Sequence, residues 1–169
     1  MQYYDVAGFE VSGELASRLG FSRVYLSGRD VQLLEDRMPG AGKAIVRSSN
    51  PGILAKALRS RNTVGIVISG SELLRKVVEE VRINGKLLVF VASELTAASP
   101  SDRLRNLQRM RRLLQFATHM RAEAAIISLA GGKEYLMSRM QMVEIARLIG
   151  ADDGQARRMA GNMGRLDDT

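Results

Sequence analysis

The sequence predicts an α/β fold in which short buried strands alternate with helices. Six runs are apolar throughout and mostly β-branched or aromatic, at residues 3–6, 24–26, 44–46, 64–68, 87–91 and 124–127. Segments with the apolar spacing of a helix lie between these runs. Because strands that are apolar on both faces need cover on both faces, the alternation predicts either a parallel sheet between two helix layers or a closed barrel.

Periodicity and capping residues place the helices. They are expected at residues 11–19, 30–37, 51–58, 72–81, 100–120 and 137–149, and a last helix is expected from Asp152 or Asp153 onward. Two helix starts are clear, at Asn50-Pro51 and at Ser99-Pro100. Each pair supplies a side chain that caps free amides, followed by a proline at the first helical position, where its missing N–H does no harm.

The length of 169 residues fits one domain, residues 1–169, with a sizeable core. No apolar run reaches the roughly 18 residues that a membrane-spanning helix requires. The first residues lack the basic and apolar regions of a signal peptide, and the sequence has no cysteine, so a cytoplasmic protein is expected. The absence of cysteine also excludes disulfide frameworks, thiolate zinc sites and cysteine nucleophiles.

The chain is basic, with 25 Lys and Arg against 18 Asp and Glu and a net charge of +7. Twenty of the 25 cationic residues are arginines. The planar guanidinium matches the geometry of phosphate better than a lysine ammonium does. The charge balance therefore favours a polyanionic partner, with RNA or DNA first. A basic protein without a nucleic-acid role is the alternative.

The highest local charge lies in SPSDRLRNLQRMRR, residues 99–112, which holds five arginines and one aspartate. On a helix, one broad apolar stripe is expected from Leu104, Leu107, Met110, Leu114 and Ala117. On the opposite side, Arg105, Arg109 and Arg112 stand on adjacent turns and predict a positive ridge. Like charges at this spacing destabilise a helix slightly, so the ridge predicts an anionic partner.

Further cations follow the same logic with less local support. Arg103 lies in line with the apolar stripe, so it is expected to hold a loop or reach a partner. Lys133 and Arg139 add charge in the C-terminal part, where aromatic residues are scarce. Base stacking is therefore expected to contribute little, and recognition of backbone or shape is favoured.

Residues for an enzyme site are few. The one histidine, His119, is expected to contact carbonyls at the end of the long helix. Asp5, Glu94 and Glu123 are the acids near strand ends, which is too few ligands for a metal cluster. AGGK (130–133) could bind phosphate but lacks the P-loop spacing, and GAGK (40–43) precedes a strand, which is the wrong order. Two alternatives stay open: a small β/α-barrel metal-dependent phosphoesterase built on Asp5, Glu94 and AGGK, and an interaction scaffold that binds no RNA.

Several segments in order carry a family resemblance: SSNPGILAKAL, SGSELLRKVVEE, VFVASEL, SPSDRLRNLQRMRRLLQFA, a strand ending in IIS, and SRMQMVEIARLIGADDGQARRMAGN. Together they resemble the archaeal and eukaryotic ribonuclease P protein component 3 family, the thirty-kilodalton protein subunit. The positions that match are Lys56, Arg75, Lys76, Pro100, Arg103, Ser128, Arg139 and Gly150. One β-α unit of that family is absent between Arg82 and Lys86, so the chain resembles a shortened form.

The resemblance implies a fold and a function. The implied fold is a TIM-barrel-like β/α barrel of about six strands, related to the PHP phosphoesterases but without their metal ligands. The implied function is a non-catalytic subunit that binds the catalytic RNA of ribonuclease P and supports removal of the 5′ leader from precursor tRNA. Protein component 2 is the implied protein partner, and Mg²⁺ acts through the RNA. The residues expected to bind RNA or a partner are Arg103, Arg105, Arg109, Arg112, Lys133, Arg139, Lys56, Arg75 and Lys76.

Overall fold

A computed structural model describes residues 2–70 and 75–167 of the chain, and its strands form two parallel sheets. Strands β1 (Tyr4–Ala7) and β2 (Arg23–Leu26) make a two-stranded sheet. Strands β3 (Gln32–Glu35), β4 (Ala44–Ser48), β5 (Thr63–Ile68), β6 (Leu87–Val91) and β7 (Ala124–Ile127) make a five-stranded sheet in chain order. All six predicted strands are therefore confirmed, with small changes at their ends.

Helices separate most of the strands. They are α1 (Gly13–Arg18), α2 (Pro51–Arg59), α3 (Arg75–Ile83), α4 (Ser93–Thr96), α5 (Pro100–His119), α6 (Arg139–Leu148) and α7 (Asp153–Gly161), with 3-10 turns at Lys133–Tyr135 and Asn162–Leu166. Both predicted caps are confirmed: the Asn50 side chain accepts from the Gly52 amide at 2.8 Å, and Ser99 accepts from the Asp102 amide at 3.2 Å. Of the helix predicted at residues 72–81, residues 72–74 lie outside the described residues, and the rest belongs to α3. In the described part of the chain, no helix is long and apolar enough to cross a membrane.

The predicted helix at residues 30–37 is wrong, because this segment contains strand β3. Backbone bonds tie it to β4: the Gln32 amide donates to the Lys43 carbonyl at 2.8 Å, and the Asp36 amide donates to the Arg47 carbonyl at 2.9 Å. Asp30 accepts from the Leu26 amide at 2.8 Å and so shapes the turn between β2 and β3 instead of capping a helix. Pairing with a neighbouring strand outweighs the local spacing of apolar residues here.

Two apolar cores cover the two faces of the strands. The helix core lies between the sheet and the helices, whereas the strand core collects strand residues of both sheets together with Met163 and Leu166. Along β6 the side chains alternate between them, and Leu88 and Phe90 join the helix core. At Gly65 a Cβ atom would lie 2.7 Å from the Leu87 carbonyl oxygen, so the close approach of β5 and β6 requires glycine there. Cover on both faces explains why the strands are apolar throughout.

The edges of the two sheets are joined by backbone contacts. Just after β7, the Leu129 amide donates to the carbonyl of Val6 in β1 at 2.9 Å, and just after β1 the Gly8 amide donates to the Ala130 carbonyl at 2.9 Å. Beyond β2, an isolated parallel bridge joins Ser27 to Val31, just before β3. The carboxyl ends of the strands therefore lie along connected edges, and the loops that follow them carry the charged groups described next.

Candidate nucleic-acid interface

Arg109 lies in an ion network at the carboxyl ends of β4, β5 and β6. Its Nη1 donates to the Ser69 carbonyl at 2.7 Å, and its Nη2 donates to Glu94 on α4. Arg47, in β4, places Nη2 2.7 Å from the other carboxylate oxygen of Glu94. The Arg109 and Glu94 side chains are only 13% and 10% exposed. Glu94 thus lies between two guanidinium groups, and this buried carboxylate network fixes α5 against the sheet.

The prediction that three arginines form a solvent-facing ridge on α5 is therefore wrong for Arg109. Arg105 and Arg112 are exposed, but Arg109 is turned toward the sheet because Glu94 and the Ser69 carbonyl bind its guanidinium there. Contact between Arg109 and RNA stays a prediction, and its position gives it a role in holding the helix.

The predicted apolar stripe of α5 is confirmed for Leu107, Met110, Leu114 and Ala117, which pack in the helix core, and is wrong for Leu104. Leu104 is 58% exposed, whereas Met110, Leu113, Leu114 and Ala117 are buried. In the second turn Asn106 faces the protein, and its Nδ2 donates to the Glu94 carbonyl at 2.8 Å. The first turns of the helix therefore face the protein through Asn106, and Leu104 lies in solvent.

A basic surface runs between α3 and α5. The Arg75 guanidinium lies over the Phe116 ring, 5.4 Å from its centre. Phe116 is one helical turn after Arg112, so the two residues share one face of α5. Arg112 is exposed and has no hydrogen-bond or ion-pair partner within residues 2–70 and 75–167. Arg105, two turns before it, pairs with Asp102 at 2.6 Å. We call Arg75, Arg105, Arg112 and Phe116 the α3–α5 surface.

The other predicted cations lie apart from one another. Lys56 on α2 and Lys76 on α3 are exposed, and so is Lys133 in its 3-10 turn. Arg103 donates to the Ala98 carbonyl at 3.3 Å and so holds the loop before α5, one of its two expected roles. Arg139 lies 4.5 Å above the Tyr3 ring, and its amide donates to the Leu19 carbonyl at the end of α1. The nine predicted residues therefore do not form one patch, but Arg75, Arg105 and Arg112 do lie along one surface.

Asp5, considered above for a metal site, is a buried structural group. Its carboxylate accepts from the Val6 amide at 2.7 Å, the Ser128 amide at 2.6 Å and the Ser128 hydroxyl. Burial raises the pKa of Asp5 to about 6, and the hydrogen bonds from Ser128 partly oppose that rise. Asp5 therefore ties β1 to the end of β7. In the described residues no three His, Asp or Glu side chains are grouped to hold a metal ion.

Two contributors to this region were not predicted. Phe116 was not singled out, although its position four residues after Arg112 is the signal that would place them together. Arg47 follows the apolar run 44–46 directly, at the carboxyl end of a strand, where polar groups of a parallel sheet converge. Its partner Glu94 follows a different strand, so the sequence alone did not pair them.

Comparison with solved structures finds the same fold over nearly the whole chain. A chain in the cryo-EM structure of archaeal ribonuclease P with mature tRNA matches with a TM-score of 0.70 and 11% identity, covering 98% of this chain and 79% of that chain. A prolidase complexed with N-methylphosphonate-L-proline matches with a TM-score of 0.54 and 14% identity, covering 75% of this chain. The matched part is 33% of that prolidase chain.

Sequence comparisons give no match, either to a family model or to a curated protein. The likeness is therefore one of fold: an α/β protein with a parallel five-stranded sheet, similar to a chain of archaeal ribonuclease P. The resemblance to a ribonuclease P protein subunit that was drawn from the sequence is confirmed at this level.

Proposed function

We propose that the chain is a ribonuclease P protein subunit of the component 3 family that binds and stabilises the catalytic RNA. The observation that carries the proposal is the fold match to a chain of archaeal ribonuclease P across 98% of the sequence. In this proposal the RNA subunit removes the 5′ leader of precursor tRNA in the cytoplasm and holds the Mg²⁺ ions. The chain itself performs no catalysis, and protein component 2 is its protein partner.

The barrel expected from that family is part of the proposal. We infer that β1 to β7 wrap into one shortened β/α barrel, in chain order. Three observations support it: the Leu129–Val6 backbone bond, the bridge between Ser27 and Val31, and a strand core built from residues of both sheets. The ribonuclease P chain that it matches is longer, since the match covers 79% of it.

We propose the α3–α5 surface as the main RNA contact. Arg112 has no hydrogen-bond or ion-pair partner in the described chain. Arg75 contacts the ring of Phe116. Both guanidinium groups therefore keep hydrogen-bond donors for phosphate oxygens. Arg105 is paired at the surface, where an ion pair is weak and can exchange for a phosphate. Lys56, Lys76, Arg103, Lys133 and Arg139 are proposed as secondary contacts with RNA or with component 2.

Reconstituted cleavage tests the function directly. Precursor-tRNA cleavage would be measured at low Mg²⁺ with the RNA subunit and component 2, in the presence and absence of this chain. We expect stimulation only when all three are present, because neutralised phosphates let the folded RNA hold its metal ions. Unchanged cleavage would favour a scaffold that binds no RNA, and cleavage by the chain without the RNA subunit would favour a phosphoesterase.

A pair of triple variants tests the surface. Arg75→Ala, Arg105→Ala and Arg112→Ala together remove three charges from the α3–α5 surface. The matched control removes three exposed arginines elsewhere, with Arg18→Ala, Arg37→Ala and Arg157→Ala. Because each lost phosphate contact lowers the slope of log affinity against log salt by roughly 0.7 to 0.9, the first variant should lower it by about 2 to 3, whereas the control should leave it near the wild-type value. Equal losses in both variants would mean that only net charge matters and would contradict the assignment of the surface.

A further inference from the structure

A cavity lies at the opposite, amino ends of the strands. It has a volume of about 230 Å³ and is lined by residues that lead into β4, β5 and β6. Three of the lining residues are cationic: Lys43 precedes β4, Arg61 lies shortly before β5, and Lys86 precedes β6. No Asp or Glu belongs to the lining. The fold thus brings three positive charges from three separate loops to one cavity without an acid among them.

The hydrogen bonds that the cations make leave donors for a ligand. The Lys43 ammonium donates one bond to the Leu166 carbonyl, and an ammonium has three donors. The Arg61 residue is exposed, and its guanidinium has no hydrogen-bond partner within the described residues. Burial lowers the pKa of Lys86, as expected for an ammonium that has lost part of its hydration without gaining an acidic partner. An anion bound in the cavity would stabilise the charged form of Lys86 and so offset the effect of its burial.

Thr63 is a buried polar residue in the wall of the cavity. This residue is 1% exposed and lines the same cavity. Its hydroxyl is buried and has no hydrogen-bond partner within residues 2–70 and 75–167. A buried hydroxyl without a partner costs roughly 1 to 3 kcal/mol, so such groups commonly mark a place where a water, an ion or a ligand belongs.

We propose that this cavity is a binding site for a phosphate-class oxyanion. Lys43, Arg61 and Lys86 provide charge-assisted hydrogen bonds to its oxygens. The anion can be free inorganic phosphate or a phosphodiester of a nucleic-acid strand, since both present the same tetrahedral oxygens. The site is separate from the α3–α5 surface and does not depend on the ribonuclease P proposal.

Calorimetric titration of the full chain with inorganic phosphate, at constant ionic strength, tests the site. We expect saturable binding with one phosphate per chain. Arg61→Ala and Lys86→Met should each weaken it at least about tenfold, because each removes a charge-assisted hydrogen bond. Arg37→Ala removes an exposed arginine near the carboxyl end of β3 and should leave binding unchanged.

The outcomes distinguish binding of phosphate in the cavity from non-specific attraction to a positively charged protein. Absence of saturable heat, or equal weakening in Arg37→Ala and Arg61→Ala, would overturn the site. Arg61 is exposed, so its replacement tests the cavity even where Lys86→Met lowers stability. Competition then identifies the source: displacement of phosphate by a short RNA without terminal phosphates indicates a phosphodiester, and lack of displacement indicates the free anion. Precursor-tRNA cleavage measured on the same variants shows whether this site and the proposed function stand or fall separately.

Discussion

Arg109 and Arg112 are three residues apart on the same helix and have opposite surroundings. Arg109 is bound by Glu94 and by the Ser69 carbonyl, and its side chain is 13% exposed. Arg112 is exposed and has no hydrogen-bond or ion-pair partner in the described chain. The difference shows that an arginine is available to an external anion only where the fold has not already provided an acid. Net charge therefore overstates the charge that an RNA could use.

The same contrast separates two regions of the molecule. At the carboxyl ends of the strands, Glu94 binds both Arg47 and Arg109, and Asp5 is held by hydrogen bonds from Val6 and Ser128. On the α3–α5 surface the arginines face solvent, an aromatic ring or a single exposed acid. We therefore expect changes in the first region to alter stability and changes in the second to alter binding.

The largest effect is expected for Arg109→Met. The change leaves Glu94 buried with only Arg47 beside it and leaves the Ser69 carbonyl without its donor. Breaking a buried ion pair from one side costs roughly 3 to 5 kcal/mol. Denaturant unfolding should show a loss of this order. A double variant that also carries Glu94→Gln should lose less than the sum of the two single variants, since both changes remove the same contact between Arg109 and Glu94. A loss below about 0.5 kcal/mol, typical of surface positions, would mean that the network does not hold α5.

The next effect concerns Asp5 and depends on pH. The pKa of Asp5 is about 6 in the folded protein and about 3.8 for an ordinary aspartate, so the folded chain holds this proton more tightly than the unfolded chain does. The stabilisation that this gives is complete below about pH 4 and is lost as the pH rises through 6. The gap between the two pKa values corresponds to about 3 kcal/mol.

Asp5→Asn tests this dependence. The amide stays neutral, its oxygen can accept from the two backbone amides, and its nitrogen can donate to the Ser128 hydroxyl. The stability of this variant relative to the wild type should therefore rise by about 2 to 3 kcal/mol between about pH 4 and pH 7. Unfolding curves across this range measure it, with the exposed Glu14→Gln as the control. A difference that does not change with pH would show that Asp5 is not held as a buried carboxyl.

The strands were predictable because their signal is local. Both faces of the sheets are covered, so six strands read as unbroken apolar runs. Strand β3 was missed because it is only four residues long and its two half-buried leucines lie between polar residues, Gln32 and Glu35. In addition, residues 36–43 connect it to β4 without a helix. Its identity as a strand comes from pairing with β4, which no local pattern contains.

The candidate site was predictable only in part. Arg105 and Arg112 were placed on one solvent-facing side of α5 by spacing, and both are exposed there. The inward turn of Arg109 was not predictable, since it depends on Glu94, fifteen residues earlier and on another helix. The contact of Arg75 with Phe116 likewise depends on the packing of α3 against α5. Spacing defines which residues share a face, whereas tertiary packing decides what that face meets.

A smaller effect is expected for Arg105→Ala. The pair that Arg105 forms with Asp102 is exposed, with 74% and 46% of the two side chains accessible. Exposed pairs contribute about 0.2 to 1 kcal/mol and weaken as salt rises. Unfolding at low and high salt should show a small loss that disappears at high salt. A loss as large as that of Arg109→Met would contradict the division between the two regions.

The smallest change in stability is expected for Arg112→Ala. This change should instead weaken the binding of RNA. Arg112 has no hydrogen-bond or ion-pair partner in the described chain, so its replacement removes no specific stabilising contact. The free energy of unfolding should therefore stay within about 0.5 kcal/mol of the wild type. Binding to the ribonuclease P RNA should weaken, and the slope of log affinity against log salt should fall by roughly 0.7 to 0.9, the value for one lost phosphate contact. Arg112→Lys should keep most of that slope, since it keeps the charge, and lose affinity through the missing second hydrogen bond. A stable variant with an unchanged slope would place the RNA on another surface, because an arginine with neither a protein partner nor a phosphate would then be an ordinary solvated side chain.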